Sequence, residues 1–167
     1  MNRRTFVGTL TSAAVVSRLG WAASGTNRIE KIGLELYTVR DALKQDFEGT
    51  LKRVAKIGYR EVEFAGYFAD LKDLNPAPKK TREILDSLGL SAPATHIPYS
   101  AVTPENLPRV IEAAAIIGHK YIVNPGIDEQ LQKSADGWKQ AAAAFNRAGK
   151  ETMRSGIQFA SSPCPRD

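Results

Sequence analysis

Residues 58–64 read GYREVEF, a glycine followed at once by a short run in which apolar and acidic residues alternate. Glycine adopts the left-handed conformation that often ends a helix, and a period of two is typical of a strand with one apolar face. An apolar helical pattern, a glycine and a strand pattern recur in this order at Gly89, Gly118 and Gly156. Each repeat has the length of one βα unit, so the sequence predicts an α/β fold.

Strand and helix patterns alternate throughout residues 29–160. We expect strands at 32–37, 61–64, 90–96, 121–124 and 157–160, and helices at 47–57, 79–88, 106–117 and 136–155. Strands joined by helices of about ten or more residues imply a parallel sheet with right-handed crossovers. Both a doubly wound open sheet and a (β/α)8 barrel fit this pattern. No glycine-rich phosphate loop follows the first strand, which disfavours a dinucleotide-binding fold.

The composition is that of one globular domain. The chain has 167 residues, of which 43% are hydrophobic and 25% charged, both ordinary values. Its single cysteine, Cys164, excludes an internal disulfide and a cysteine-based zinc site. No basic blocks alternate with aromatic residues, so we expect no nucleic-acid partner.

Residues 1–24 have the features of an export signal. Arg3 and Arg4 precede a short apolar run that contains no acidic residue, and the run is too short to span a bilayer. The arginine pair followed by Phe6 resembles a twin-arginine signal. We therefore expect a periplasmic or secreted protein with no membrane contact after cleavage, and a linker at residues 25–28. The alternative is an amphipathic first helix of the domain.

Polar side chains stand at the carboxyl ends of the predicted strands, where a parallel barrel has its active site. Strand alternation directs Glu35 and Tyr37 inward from the first strand and Glu63 inward from the second. The third and fourth strands end at His96 and Asn124. Because inward carboxylates are costly unless they bind something, we interpret these five residues as candidates for binding a polyhydroxy substrate. The alternative is that Glu63 pairs with a neighbouring Lys or Arg and that His96 bonds backbone at the strand end.

The histidines and acidic residues do not predict a metal site. His96 and His119 fall at opposite ends of their strands and cannot share one ion. Glu63 and His96 supply two ligands, whereas tight sites usually need three or four protein groups. We expect His119, at a helix-to-strand junction, to be structural.

Five segments together resemble a known family. They are residues 31–41 (KIGLELYTVRD), 49–51 (GTL), 58–67 (GYREVEFAGY), 95–97 (THI) and 118–125 (GHKYIVNP). Their order and spacing resemble the sugar phosphate isomerase/epimerase proteins, the xylose-isomerase-like (β/α)8 TIM barrels, over residues 29–160. The resemblance implies a barrel truncated to about four βα units plus the start of a fifth strand. It also implies a small-molecule sugar substrate, and a divalent Mn, Mg, Co or Zn ion in the complete family member.

The resemblance stops where relatives carry their metal ligands, on the fifth to eighth strands. Residues 161–167 read SSPCPRD, and two prolines cannot continue a central strand. We therefore expect a non-family tail at 161–167, no assignable catalytic residue and no metal or other cofactor in this chain. An alternative is a non-catalytic carbohydrate-binding half-barrel, with a dimer as one form, and another is an open-sheet interaction module. Exposed strand edges predict self-association.

Overall fold

The computed structural model describes residues 31–65 and 76–161 of the chain. The predicted signal at 1–24 and linker at 25–28 lie outside the described residues, and so does the predicted tail at 161–167 apart from its first residue, Ser161, which ends the last strand. Those expectations therefore stay predictions. In the described part of the chain, none of the helices combines the length and hydropathy that a membrane crossing requires.

One parallel sheet of five strands forms the centre of the fold. The strands are β1 (Gly33–Glu35), β2 (Glu61–Ala65), β3 (Ser91–His96), β4 (Tyr121–Asn124) and β5 (Gln158–Ser161). Their spatial order is the chain order, β1-β2-β3-β4-β5. A doubly wound sheet reverses direction at a switch point, whereas this order is that of a barrel. The predicted α/β, partial-barrel fold is confirmed.

Within the described sheet, β1 and β5 each have a neighbouring strand on one side only. Self-association through these two edges stays a prediction.

Helices connect successive strands. They are α1 (Arg40–Gln45), α2 (Phe47–Ile57), α3 (Pro78–Leu88), α4 (Leu107–Ile117), α5 (Glu129–Gln132) and α6 (Ala135–Met153), with 3-10 turns at Leu36–Val39 and Tyr99–Val102. The four predicted helices correspond to α2, α3, α4 and α6 within two residues at each end. The strand pattern predicts β1 as far as Tyr37, but the strand ends at Glu35 because the chain turns into the first 3-10 segment.

Local sequence signals fix the helix ends. The side chain of Asp46 accepts a hydrogen bond from the backbone nitrogen of Gly49 at 2.8 Å, which caps α2 as an aspartate at this position should. Four glycines that follow helices have positive φ angles, namely Gly58, Gly89, Gly118 and Gly156. The glycines of the repeat therefore end helices, as the sequence predicts.

The core lies between the sheet and its helices in two adjoining clusters. Leu51, Phe64 and Leu85 are the largest fully buried side chains of the cluster that joins β2 to α2 and α3. Leu107 and Ile122 are fully buried in the second cluster, which joins β4 to α4 and α6. Each such side chain contributes about 1.5–3 kcal/mol on burial. The helix-facing side of the sheet is therefore the stabilising side, and Glu35, Glu61 and Glu63 lie on the other.

The pairing of β2 with β3 contains an irregularity. Glu61 pairs with Ser91 and Glu63 pairs with Ala94. The chain thus advances two residues along β2 but three along β3, so β3 holds one extra residue. Beyond the bulge the regular register returns and pairs Ala65 with His96. A bulge of this kind changes which face of the sheet the following side chains occupy.

Candidate functional site

Three side chains meet at the carboxyl ends of three adjacent strands. Glu35 of β1 and Glu63 of β2 are direct partners in the sheet register. His96 lies between them, with its Nδ1 3.3 Å from Glu35 Oε1 and its Nε2 3.5 Å from Glu63 Oε1. The side chains are 46%, 35% and 27% exposed for Glu35, Glu63 and His96, so a ligand can reach all three. We call these three residues the carboxylate–histidine cluster.

The β3 bulge brings His96 into this cluster. Glu61, Glu63 and Ala65 alternate with the buried Val62 and Phe64 and so share the polar face of β2. His96 pairs with Ala65 and therefore lies on that same face. With regular pairing from Ser91 onward, Thr95 would stand opposite Ala65 and His96 would point to the helices.

The cluster is rich in hydrogen-bond acceptors. Ionised carboxylates only accept, and a neutral imidazole donates from one nitrogen and accepts at the other. A protonated His96 ring can donate to both glutamates, whereas a neutral ring leaves one carboxylate free to bind another donor. No lysine or arginine of the described residues lies within ion-pair distance of Glu63, while Glu61 pairs with Lys31 at 3.6 Å. The cluster can therefore accept hydrogen bonds from the hydroxyl groups of a ligand.

The cluster does not fit the divalent ion that the family resemblance implies. Glu35 and Glu63 face different nitrogens of the His96 ring, and one imidazole binds an ion through one nitrogen. The ring and one glutamate could share an ion, which leaves a two-ligand site where three or four protein groups are usual. Within residues 31–65 and 76–161, no set of three or more His, Cys, Asp or Glu side chains has a metal-binding arrangement.

The structure places the other two candidates apart from this cluster. Tyr37 lies in the 3-10 turn after β1 and is 57% exposed. Asn124 is fully buried on the helix-facing side of β4, together with Ile122. Its amide nitrogen donates to the Ile97 carbonyl at 3.0 Å, and its oxygen accepts from the Gly126 nitrogen at 3.2 Å. Asn124 therefore connects the ends of β3 and β4 through hydrogen bonds to backbone groups, and its predicted role in substrate binding stays a prediction.

Tyr37 has a neighbour that the strand pattern did not identify. The Arg40 guanidinium lies over the Tyr37 ring, 4.4 Å from its centre, and Arg40 Nη1 donates to the Tyr37 carbonyl at 3.0 Å. Arg40 belongs to α1, a helix too short to give a periodic signal. The only hint in the sequence is that Arg40 follows Glu35 by five residues in the connection that leaves the carboxyl end of the strand.

His119 lies in the core, as expected. Its Nδ1–H donates to the Ala92 carbonyl at 2.6 Å, and its ring contacts Phe64 edge-on at 5.4 Å between centres. Burial lowers the pKa of His119 to about 4, with a small further lowering by the positive charge of Arg82, while the bond to Ala92 opposes the change. The ring is therefore neutral at pH 7 and has a structural role.

Comparison with known proteins identifies the fold. No protein-family profile matches the chain, and no curated protein matches its sequence. A solved sugar phosphate isomerase/epimerase from Parabacteroides distasonis matches with a TM-score of 0.61 and 29% identity, over 84% of this chain and 53% of that one. A xylose isomerase domain containing protein from Salmonella typhimurium matches with a TM-score of 0.60 and 15% identity, over 82% and 51%. D-Psicose 3-epimerase from Clostridium cellulolyticum, solved with D-tagatose, matches with 0.58 and 13%, over 77% and 50%.

The last two similarities show the fold alone, because their identities are low. The chain spans about half the length of the solved structures that it matches. The fold expected from the five sequence segments is thereby confirmed. The chain has the fold of about half of a sugar isomerase/epimerase-type barrel.

Proposed function

We propose that the chain binds a sugar at the carboxylate–histidine cluster and belongs to a protein that isomerises or epimerises sugars. The observation that carries the proposal is the position of Glu35, Glu63 and His96 at the carboxyl ends of adjacent parallel strands, where barrel enzymes bind their substrates. Support comes from the P. distasonis sugar phosphate isomerase/epimerase and from the D-psicose 3-epimerase solved with D-tagatose.

The cluster residues have a positioning role in this proposal. Glu35 and Glu63 accept hydrogen bonds from neighbouring hydroxyl groups, and the His96 ring between them holds their separation. Hydrogen bonds to charged groups contribute about 1.5–3 kcal/mol each when they are shielded from water, and less at this partly exposed site. Isomerisation and epimerisation also need an acid and a base. We assign neither role to a residue of the cluster.

The test is whether the full chain binds sugars, and binding is measured by NMR chemical-shift changes and by calorimetry. The panel is D-fructose, D-tagatose, D-glucose and D-xylose. We expect at least one sugar to shift the signals of Glu35, Glu63 and His96. Glu63→Gln keeps the shape of the side chain and removes its charge, so it should weaken binding by roughly tenfold, the equivalent of about 1.4 kcal/mol.

Glu61→Gln is the matched control. Glu61 lies on the same strand and the same face, two residues earlier, and pairs with Lys31. We expect the Glu61 variant to bind sugar like the parent chain. Equal weakening by both variants, or no binding of any sugar, would contradict the proposal.

Product analysis separates catalysis from binding alone. The same sugars are incubated with the chain, with and without Mn²⁺, and their isomers and epimers are quantified by NMR. Turnover that Glu63→Gln reduces supports an isomerase or epimerase. Binding with no turnover under either condition favours the carbohydrate-binding alternative.

A further inference from the structure

A groove lies between α6 and the connection that joins β3 to α4. One wall is a single face of α6, because Gln140, Ala143, Ala144 and Arg147 follow one another at intervals of three and four residues. The other wall comes from the 3-10 turn after β3 and the residues up to Glu105. The groove has a volume of about 360 Å³, which is enough for a small molecule.

The middle of the groove is apolar. Ala143 and Ala144 leave a recess between the longer side chains of Gln140 and Arg147, which are seven residues and therefore about 10 Å apart along the helix. Tyr99 lies across from them, and its ring packs edge-on against Phe145 of α6, with 5.8 Å between the ring centres. This packing fixes the aromatic wall, so the recess has the shape and polarity for one small apolar side chain.

Arg147 has no acidic partner in the described part of the chain. Its Nη2 donates to the Val102 carbonyl at 3.3 Å, and its Nε is buried without a hydrogen-bond partner among the described residues. Arg82 also has a buried Nε without a partner, but its Nη2 lies 2.6 Å from the Asp86 carboxylate. No carboxylate of residues 31–65 and 76–161 is within ion-pair distance of Arg147, so its charge lacks a counter-ion there.

Glu105 supplies a negative charge to the same groove. Hydrogen bonds from its own backbone and from the Thr103 hydroxyl lower the pKa of Glu105, the charge of Arg147 lowers it further, and burial opposes the change. An ionised carboxylate accepts up to about four hydrogen bonds, so acceptor sites remain. Burial and the charge of Asp128 raise the pKa of Tyr99, while Arg147 opposes them. The guanidinium therefore acts on both Glu105 and Tyr99, which lie close to it.

The groove thus combines one positive group, one negative group and an apolar recess. A simple anion would be attracted by Arg147 but repelled by Glu105, and a simple cation would meet the reverse. An α-amino acid carries a carboxylate and an ammonium on the same carbon, so it satisfies both groups at once. A guanidinium can donate two parallel hydrogen bonds to the carboxylate, and Glu105 can accept from the ammonium.

We infer that this groove binds a free α-amino acid with an apolar side chain. Its carboxylate pairs with Arg147, its ammonium with Glu105, and its side chain packs between the alanines of α6 and Tyr99. The carboxylate–histidine cluster contributes no residue to the groove. The inference is therefore independent of the proposed function and describes a second binding site.

The first test compares ligands that differ in one charged group. L-Phenylalanine carries both charges, 3-phenylpropionate lacks the ammonium and L-phenylalaninamide lacks the carboxylate. L-Leucine, 4-methylpentanoate and L-leucinamide give the same comparison for an aliphatic side chain. Binding to the full chain is measured at pH 6, where the amino groups are protonated, by calorimetry and by NMR shifts of the Tyr99 ring. We expect one of the amino acids to bind at least about tenfold more tightly than either of its derivatives.

The second test uses variants of the two walls. Arg147→Gln and Glu105→Gln should each weaken amino-acid binding by at least about tenfold. Ala143→Phe should abolish binding without changing a charge, because this exposed alanine lines the recess and the larger ring fills it. Two controls remove the same charges outside the groove, Lys150→Gln on α6 and Glu112→Gln on α4. We expect both controls to bind like the parent chain.

Each outcome decides for or against the amino-acid site. Binding that the three groove variants weaken and the two controls retain supports the inference. If Arg147→Gln does not fold, Ala143→Phe and the ligand comparison in the parent chain decide the question. Equal affinity for an amino acid and its carboxylate derivative would indicate a simple anion site and overturn the inference. Absence of amino-acid binding, or equal weakening by Arg147→Gln and Lys150→Gln, overturns it as well.

Discussion

Replacing His119 should change how the stability of the fold depends on pH. The pKa of this imidazole falls from its ordinary value of 6.5 to about 4 in the folded chain, chiefly through burial. Above pH 6.5 the ring is neutral in both states. Below that value the unfolded chain takes up a proton that the folded chain binds only near pH 4, so stability falls as the pH falls. Linkage gives a loss of about 2 kcal/mol between pH 7 and pH 5, and about 3 kcal/mol by pH 4.

Urea unfolding at pH 5, 6 and 7 measures this loss in a range where most carboxylates stay ionised. In His119→Asn the short amide can still donate to the Ala92 carbonyl, but it does not titrate. We expect the variant to be less stable at pH 7 because it fills less of the space beside Phe64, and to lose less stability between pH 7 and pH 5.

Identical slopes in the parent chain and His119→Asn would refute this reasoning. If His119→Asn does not fold, the imidazole proton signals of the parent chain decide the question directly. A His119 titration midpoint close to 6.5 would show that the ring is not desolvated as the structure indicates.

Three stability predictions concern the helices and are measured by urea unfolding at pH 7. Asp46→Ala should cost about 1 kcal/mol, because α2 loses the side-chain cap on Gly49; an unchanged stability would contradict the cap. Gly149→Ala should stabilise by about 0.5–1 kcal/mol, since Gly149 lies inside α6 and an added Cβ would meet no atom within 4 Å beyond the adjoining backbone of its own helix. Gly89→Ala should destabilise by about 1 kcal/mol, because its φ of 63° is left-handed. The Gly149→Ala and Gly89→Ala variants should therefore change the free energy of unfolding in opposite directions.

The sequence predicts the repeating architecture because the signals that specify it are long or conformationally strict. Helices α2, α3, α4 and α6 each extend over at least eleven residues with a buried stripe. Gly58, Gly89 and Gly118 cap α2, α3 and α4 with positive φ angles, and Gly156 has a positive φ angle in the turn after α6. What pattern alone leaves open is the order of the strands in space, because a barrel and a doubly wound sheet use the same βα unit.

The sequence predicts the site only in part, because some of its geometry comes from short elements. The 3-10 turn after β1 and helix α1 have four and six residues, too few to show a period. They nevertheless bring Arg40 over Tyr37. Asn124 shows the opposite difficulty. Its place at a strand end suggests a binding residue. Asn124 comes two residues after the buried Ile122, however, so the two side chains share the helix-facing side of β4.

The position of His96 depends on a single extra residue in β3, and Pro93 explains why it is there. Proline has no N–H to contribute to the ladder, so strands usually accommodate it at an edge or a bulge. Here the Pro93 carbonyl still accepts from the Lys120 nitrogen at 2.7 Å, while the register toward β2 shifts between Glu61 and Glu63. Ala92 and Thr95 are both buried, three residues apart, which strict alternation does not allow. The proline is thus the sequence feature that rotates His96 from the core face to the face of Glu35 and Glu63. A strand with the same polar residues but no bulge would bury the imidazole among the helices and leave the two glutamates without a bridge.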